Sequence, residues 1–215
     1  MKLLLLIPTF LSALCLNNQT ISEPKLPQAT TEICFKEYGV LYSTTFNIPL
    51  ASYEHLNKDR VSLSTKMIRK DQFHQEKGYV VKPIDYRNSG YDKGHMTPCD
   101  DMSTTQSQYE SFSMVNMVPQ KHGNNAGAWK VLEESVRNIA LTNKDVYVVS
   151  GVIIDGNETK LKNTIIPNTL YKGVYIPKDN NITIYTIQNI DKPQKQILTE
   201  EEFKSKYNID LFPKR

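Results

Sequence analysis

The sequence lacks a compact metal-binding motif of the cysteine and histidine type. It has 3 cysteines and 4 histidines among 215 residues, and none of them forms a Cys-x-x-Cys or His-x-x-x-His element. Such short spacings are typical of zinc sites, because they place two ligands close together on one turn. A zinc site built from distant residues has the right residue types but is disfavoured by their spacing; its members would be His95, Cys99, His122 and Cys34.

The sequence also lacks an apolar run that spans a bilayer comfortably. Its hydrophobic stretch extends from Leu3 to Leu16 after Met1-Lys2, whereas a transmembrane helix needs about 20 apolar residues. A charged start followed by a short apolar run is typical of a cleaved secretory signal. We therefore expect residues 1–16 to be a signal peptide. The mature protein should be secreted or periplasmic, and we expect no stable membrane insertion. Lipid anchoring through Cys15 is disfavoured, because leucine directly precedes it.

The sequence has little net charge, with a formal value of +3. Net charge alone therefore does not indicate a nucleic-acid partner, because phosphate contacts depend on where Lys and Arg lie. The length, with 39% apolar residues, suits one domain that has its own core. We expect an amino-terminal linker over residues 17–33 and a single domain over 34–215.

Removal of the signal leaves Cys34 and Cys99 as the thiols of the mature chain. Two cysteines in an oxidising compartment can form a disulfide, which restricts the unfolded chain. A Cys34–Cys99 bridge and two separate buried cysteines both stay open at this point.

Short β-rich runs separated by Gly, Pro, Asn and Asp clusters predict strands. The runs are Tyr38–Thr45, Tyr79–Val81, Ser113–Val118, Val146–Ile154, Leu170–Ile176 and Ile182–Ile187.

Two helices are predicted among these strands. The clearer one begins at Asn124 or Asn125 and runs to about Ala140, with an apolar stripe that should face a sheet. The stripe consists of Trp129, Leu132, Val136 and Ile139. The second helix opens at Thr199, where Glu202 completes a capping box, and Asn208 should end it. This mixture predicts an α+β domain with a central antiparallel sheet.

Three neighbouring motifs bring together a histidine and two asparagines: Tyr91–Pro98 (YDKGHMTP), Asn116–Gln120 (NMVPQ) and Asn125–Trp129 (NAGAW). An imidazole can accept a proton from water near neutral pH. An amide oxygen can hold a hard cation without neutralising its charge. The combination predicts metal-assisted phosphodiester hydrolysis.

The stretches YDKGHMTPCDDM and FSMVNMVPQKHGNNAGAWKVLEESVR resemble the DRGH-type DNA/RNA non-specific endonucleases. This ββα-metal (His-Me finger) group includes secreted bacterial nucleases and mitochondrial endonuclease G. The resemblance covers nearly the whole mature chain, from about Tyr38 to YNIDLFP near the carboxyl end. It implies a Mg²⁺-dependent hydrolase, with Mn²⁺ as a substitute, that cleaves DNA and RNA backbones and leaves 5′ phosphates. A homodimer stays open.

The resemblance also implies roles for five residues. His95 would be the general base, Asn125 the metal ligand, Glu133 a support for the metal's water shell, Arg137 a neutraliser of phosphate charge, and Asn116 a supporting polar group. Structural alternatives are a helix cap for Asn125, an i,i+4 salt bridge between Glu133 and Arg137, and a strand-end hydrogen bond for Asn116. Because the base must be unprotonated, the rate should fall below the His95 pKa, which is about 6.5 when unperturbed.

Two further cations are candidates for substrate binding. Arg69, in MIRKDQF, loosely matches an upstream phosphate-binding arginine, and an ordinary solvated arginine is its alternative. Lys93 stands where the family usually has arginine before Gly-His. Lysine gives a point charge in place of a planar fork, so we expect weaker substrate contact. A catalytically weakened nucleic-acid-binding protein that retains the nuclease fold is the alternative function.

Overall fold

The computed structural model describes Cys15 and residues 24–213. Apart from Cys15, the expected signal segment 1–16 lies outside the described residues. Within the described part, no helix combines the length and the hydrophobicity that crossing a bilayer requires.

The strands and helices follow one another along the chain. The strands are β1 (Thr31–Cys34), β2 (Tyr38–Ser43), β3 (Ile48–Leu56), β4 (Asp92–His95), β5 (Met117–Gln120), β6 (Val146–Ile153), β7 (Thr159–Leu161), β8 (Thr164–Ile166), β9 (Thr169–Ile176), β10 (Asn181–Gln188) and β11 (Lys195–Leu198). The α-helices are α1 (Lys58–Ser64), α2 (Thr105–Ser111), α3 (Lys130–Thr142) and α4 (Glu200–Tyr207). A π-helical turn, Asn124–Trp129, leads directly into α3.

Seven strands form the central sheet, in the order β1-β2-β3-β6-β9-β10-β11. Every neighbouring pair is antiparallel. The expected α+β architecture with a central antiparallel sheet is therefore confirmed. Alternate residues of each strand point to opposite faces, so Val148 and Val149 belong to two different hydrophobic clusters.

Each face of the sheet is covered by one of the predicted helices. On the first face, Trp129, Leu132 and Val136 are almost completely buried, which confirms the predicted apolar stripe. On the second face, Phe203 of α4 packs among the aromatic residues of the sheet. The Thr199 cap, its capping box with Glu202 and the left-handed Asn208 are as predicted.

A small strand pair precedes the helix on the first face. β4 and β5 pair antiparallel, with His95 opposite Met117, and the chain then enters the π-helical turn and α3. This succession of two strands and a helix carries the motifs singled out in the sequence.

The strand predictions at 38–45, 146–154, 170–176 and 182–187 are confirmed with small shifts at their ends. The prediction at Tyr79–Val81 is wrong: this segment is a loop in which Val81 is buried and Tyr79 packs against Tyr42, while Val80 is exposed. Ser113–Val118 is only partly strand, because a 3-10 turn, Met114–Asn116, precedes β5. The nine-residue strand β3 is not among the predicted strands. Its sequence includes Pro49 and polar side chains, which interrupt the apolar pattern typical of a strand.

Both cysteine alternatives need correction. Cys34 is bonded to Cys15, and Cys99 is a buried free thiol. The proposed zinc site is therefore wrong, because Cys34 is already in a disulfide. β1 begins at Thr31, so the end of the predicted linker 17–33 is a sheet strand.

Candidate active site

Two hydrogen bonds join β4 to the start of the helix. Asn125 Nδ2 donates to Asp92 Oδ2 at 3.0 Å, and Trp129 Nε1 donates to the backbone oxygen of His95 at 3.3 Å. Asp92 and His95 are the two ends of the same short strand. His95 and Asn125, far apart in sequence, therefore belong to one rigid unit.

The imidazole of His95 packs against two phenylalanine rings that also contact each other. Its centroid is 5.0 Å from that of Phe112 and 5.8 Å from that of Phe73. Burial, and then the Arg69 guanidinium, lower the pKa of His95 to about 3. His95 Nε2 is buried and has no hydrogen-bond partner among the described residues. A neutral imidazole with a free nitrogen can accept a proton, and such an unsatisfied group in a native fold calls for a functional explanation.

The side chain of Asn125 is oriented by Asp92. Because Nδ2 donates to that carboxylate, Oδ1 is the atom left over, and it forms no hydrogen bond with the described residues. Asp92 also accepts from His122 Nδ1 at 2.8 Å. A neutral oxygen ligand beside a carboxylate fits a hard divalent cation that retains most of its water. No sequence pattern connects His122 with this site, and only its contact with Asp92 does so.

The two predicted cations lie beside the base. Lys93 Nζ is 4.6 Å from the centroid of the Phe73 ring, and the Arg69 guanidinium is 5.5 Å from that of Phe112. Both rings also flank His95. Arg69 Nε additionally pairs with Asp71 at 2.7 Å, where both side chains are about half exposed.

Arg137 pairs with Asp101 rather than with Glu133. Arg137 Nη1 is 3.0 Å from Asp101 Oδ1, and both side chains are largely buried. The structural alternative of an i,i+4 bridge between Glu133 and Arg137 is therefore wrong; within α3, the i,i+4 pair is Lys130–Glu134. Asp101 was missed because no sequence pattern connects it to the helix.

Burial raises the pKa of Glu133 to about 8, and the charges around it act in both directions. The Lys172 ammonium is the strongest charge that lowers the pKa, and Arg137 also lowers it. Asp101 and Asp100 raise it. The carboxyl of Glu133 therefore gains and loses its proton within the pH range in which enzymes commonly work.

The side chain of Asn116 forms hydrogen bonds with main-chain atoms of the protein interior. Its Oδ1 accepts from Thr97 N at 3.0 Å, and its Nδ2 donates to Thr97 O at 2.8 Å and to Ser111 O at 2.9 Å. The residue is fully buried. These contacts are main-chain hydrogen bonds of the kind given as its structural alternative. Asn116 therefore fixes the segment that follows His95 rather than facing a substrate.

Comparison with known proteins adds a family context to this arrangement. The family model described as DNA/RNA non-specific endonuclease matches residues 17–211. The mitochondrial nuclease EXOG of Danio rerio is 33% identical over 172 residues, which are 72% of this chain and 50% of that protein. Nuclease C1 of Cunninghamella echinulata var. echinulata is 27% identical over 188 residues, which are 79% of this chain and 75% of that protein. The chain thus spans half the length of its zebrafish relative.

A solved structure has the same architecture. A chain in the crystal structure of the EndoG/EndoGI complex superimposes with a TM-score of 0.67 at 23% identity, and the match covers 86% of each chain. At this identity the likeness shows the fold. The expectation of a ββα-metal nuclease fold is therefore confirmed.

Proposed function

Since its family model matches residues 17–211, this chain belongs to the DNA/RNA non-specific endonuclease family, and we propose that it hydrolyses phosphodiester bonds of DNA and RNA without sequence preference. The observation that supports this most directly is the unpartnered Nε2 of His95, on a strand hydrogen-bonded to the turn that bears Asn125. Both polymers share the phosphodiester backbone, and contacts to a backbone do not read sequence directly.

Asn125 would hold the divalent metal through Oδ1, because its Nδ2 donates to Asp92. When bound, Mg²⁺, or Mn²⁺ in its place, supplies positive charge that stabilises the phosphoryl oxygens and the leaving 3′ oxygen. The donor atoms fit such hard cations, since they are oxygens and include no thiolate.

In the proposed reaction, neutral His95 accepts a proton at Nε2 from a water molecule aligned with phosphorus. The water oxygen bonds to phosphorus and the bond to the 3′ oxygen breaks. The leaving oxygen takes a proton from a second water molecule and His95 releases its proton to solvent, which yields a 5′ phosphate and a 3′ hydroxyl. Lys93 and Arg69 place positive charge beside the base, where it attracts the phosphate. Arg137 adds charge neutralisation, and ionised Glu133 orders water near the phosphate.

Nicking of supercoiled plasmid tests the proposal. We expect activity with Mg²⁺, none with EDTA, and losses of about 10²–10⁴-fold for His95→Ala and Asn125→Ala. Matched controls are His55→Ala, which removes a histidine paired with Asp145, and Asn143→Ala at the far end of α3. Full activity of His95→Ala would contradict the assigned base. Binding of plasmid by the wild type without nicking would instead favour a catalytically weakened nucleic-acid-binding protein.

We also propose that the protein is exported and that Cys15 stays in the mature chain. The Cys15–Cys34 bridge supports export, because disulfides persist in oxidising compartments. Cleavage after residue 16 would remove half of the bridge, and acylation of the Cys15 thiol would exclude it. Mass spectrometry of the exported protein should find an amino terminus at or before Cys15 and a Cys15–Cys34 peptide that separates on reduction. A terminus beyond Cys15 would contradict this.

A further inference from the structure

A lysine is completely buried beneath the helix of the site. Lys172, on β9, is 1% exposed. Its Nζ donates to Ser150 Oγ and lies 4.6 Å from the centroid of the Trp129 ring. Neither the hydroxyl nor the ring carries a formal charge. Because removing a charge from water is costly, burial lowers the pKa of Lys172, and the acids around it, Glu133 first, oppose this and favour the ammonium form.

The ionisable groups around Lys172 largely compensate one another in pairs. Glu54 Oε2 is 2.7 Å from Arg60 Nη2, and Asp101 Oδ1 is 3.0 Å from Arg137 Nη1. The side chains of all four residues are largely buried. These two acids and two bases therefore balance each other by direct contact.

Glu133 and Lys172 are the acid and the base left over from this pairing. Among the described residues, neither forms an ion pair by direct contact. Glu133 lies one helical turn after Trp129, whose ring contacts the lysine. Among the opposite charges, Lys172 has the largest effect on the pKa of Glu133, and Glu133 has the largest effect on the pKa of Lys172.

Other charges face the same two groups from neighbouring elements. Asp101, Asp100 and Arg137 act on Glu133 in addition to Lys172. Asp101, Arg137 and Glu54 act on Lys172 in addition to Glu133. With Asp101 and Arg137 paired to each other, Lys172 is the opposite charge with the largest effect on Glu133 that has no direct ion-pair partner of its own among the described residues.

We propose that Lys172 is a positioning residue that favours the ionised form of Glu133, so that the carboxylate can order water at the scissile phosphate. The inference rests on the proposed nuclease function and extends the site to the central sheet. Lys172 itself does not touch the substrate. It acts through Glu133, from the sheet face on which α3 packs.

The test compares Lys172→Met with the wild type at saturating Mg²⁺. Without the ammonium, Glu133 should bind its proton more tightly, so kcat at pH 7 should fall about tenfold for each unit by which its pKa rises. The loss should be recovered as the pH is raised toward 9, with KM changed less than about twofold. Matched controls are Lys195→Met, which removes an exposed lysine of β11, and Ser150→Ala, which keeps the charge; both should retain the wild-type pH profile.

A second measurement does not depend on activity. In metal-free protein with ¹³C-labelled glutamate, the carboxyl of Glu133 is identified by its loss in Glu133→Gln, and its titration is followed by infrared spectroscopy. The inference predicts a midpoint at higher pH in Lys172→Met than in the wild type. An unchanged midpoint overturns it. If the wild type does not cleave nucleic acid, the proposed function fails, while this titration still decides whether the two groups are coupled.

A double variant separates positioning from a general structural role. In the Glu133→Gln background, Lys172→Met should cost less than about threefold in kcat, because the group it acts through is already neutral. An equal loss in both backgrounds, at every pH, overturns the inference. If Lys172→Met does not fold, the neutral pair Lys172→Met/Glu133→Gln should restore folding, and failure to restore it counts against the pairing.

Discussion

At the scale of the residue, the surroundings of His95 change its chemistry. Burial beside Phe73 and Phe112, together with the Arg69 guanidinium, lowers the pKa of His95 to about 3. The imidazole is then neutral from about pH 4 upward, as its proposed role of general base requires. The sequence-based expectation used an ordinary histidine pKa of about 6.5, and burial is the physical reason for the difference.

The pH dependence of the rate should therefore follow Glu133 rather than His95. In the proposed mechanism Glu133 acts as an anion, and its pKa in the metal-free protein is raised to about 8, so kcat should rise with pH up to about 8. His95 should impose no limb above about pH 4. In Glu133→Gln the residual rate should be low and nearly flat from pH 5 to 9, while Glu134→Gln, an exposed neighbour, should behave as wild type. A limb near pH 6.5 that persists in Glu133→Gln would indicate an ordinary histidine pKa instead.

Asn116 should contribute substantially to the free energy of unfolding, although it is a polar residue in the protein interior. Replacement by alanine leaves Thr97 N, Thr97 O and Ser111 O without their buried partner. Each unsatisfied buried group costs about 1–3 kcal/mol, so urea unfolding of Asn116→Ala should show a loss of about 2–4 kcal/mol after relaxation. Asn143→Ala, which removes a cap from the end of α3, should cost about 1 kcal/mol. Equal losses would show that the Asn116 amide is not a fixed element of the site.

At the scale of the element, the pair β4 and β5 fixes the base by close packing. A Cβ on Gly94 would lie 2.0 Å from Gln120 Oε1 and 2.8 Å from Gln120 Cβ. The Gln120 side chain therefore packs over residue 94 only because residue 94 has no side chain. His95, the next residue, takes its position from this contact.

Gly94→Ala should accordingly reduce catalysis by shifting His95. A displacement of about 1 Å can lower a rate about 10²-fold, so we expect kcat to fall by about that factor with a smaller change in KM. Gly127→Ala is the matched control, because nothing lies within 4 Å of a Cβ placed there. Plasmid nicking with both variants measures the difference. Similar rates for the two would mean that the strand contact does not control the base.

The entry to α3 is a second element that the sequence pattern described incompletely. Asn124–Trp129 forms a π-helical turn, with Asn125 N donating to Lys121 O at 2.8 Å. The wider turn changes the angle between Asn125 and the apolar stripe from that of a regular α-helix. Such π segments occur frequently at functional sites, and this one places the amide against Asp92.

At the scale of the whole molecule, the disulfide attaches the amino-terminal segment to an edge of the central sheet. Cys15 is bonded to Cys34, 19 positions away, at the end of β1. The central order of the sheet separates this edge from β9, which lies below the site. The bridge should therefore contribute to stability and not to catalysis.

Reduction of the bridge, or Cys34→Ser, should lower the free energy of unfolding by about 3 kcal/mol, as expected for a loop of this size. Plasmid nicking at 25 °C should stay within about twofold of the wild type. Cys99→Ala serves as the control. Because Cys99 is a free thiol outside the bridge, reductant should lower the unfolding midpoint of this variant by as much as it lowers that of the wild type. Loss of nicking on mild reduction, with the fold intact, would contradict this separation of stability from catalysis.

The sequence by itself identified the candidate site residues and the local structure around them. His95 and Asn125 stand in motifs with characteristic neighbours, and the apolar stripe of α3 and the capping box of α4 follow from local periodicity and hydrogen bonding. The antiparallel architecture also followed, because strands and turns have signatures within a few residues.

Only the tertiary structure decided the partners of these groups. Asp101 at Arg137, Asp92 at Asn125 and Lys172 near Glu133 join residues from different elements. Pairing of this kind and the burial that shifts each pKa depend on how strands and helices pack, and no local pattern encodes them. The same reason explains the disulfide: proximity of Cys15 to Cys34 is a property of the folded chain.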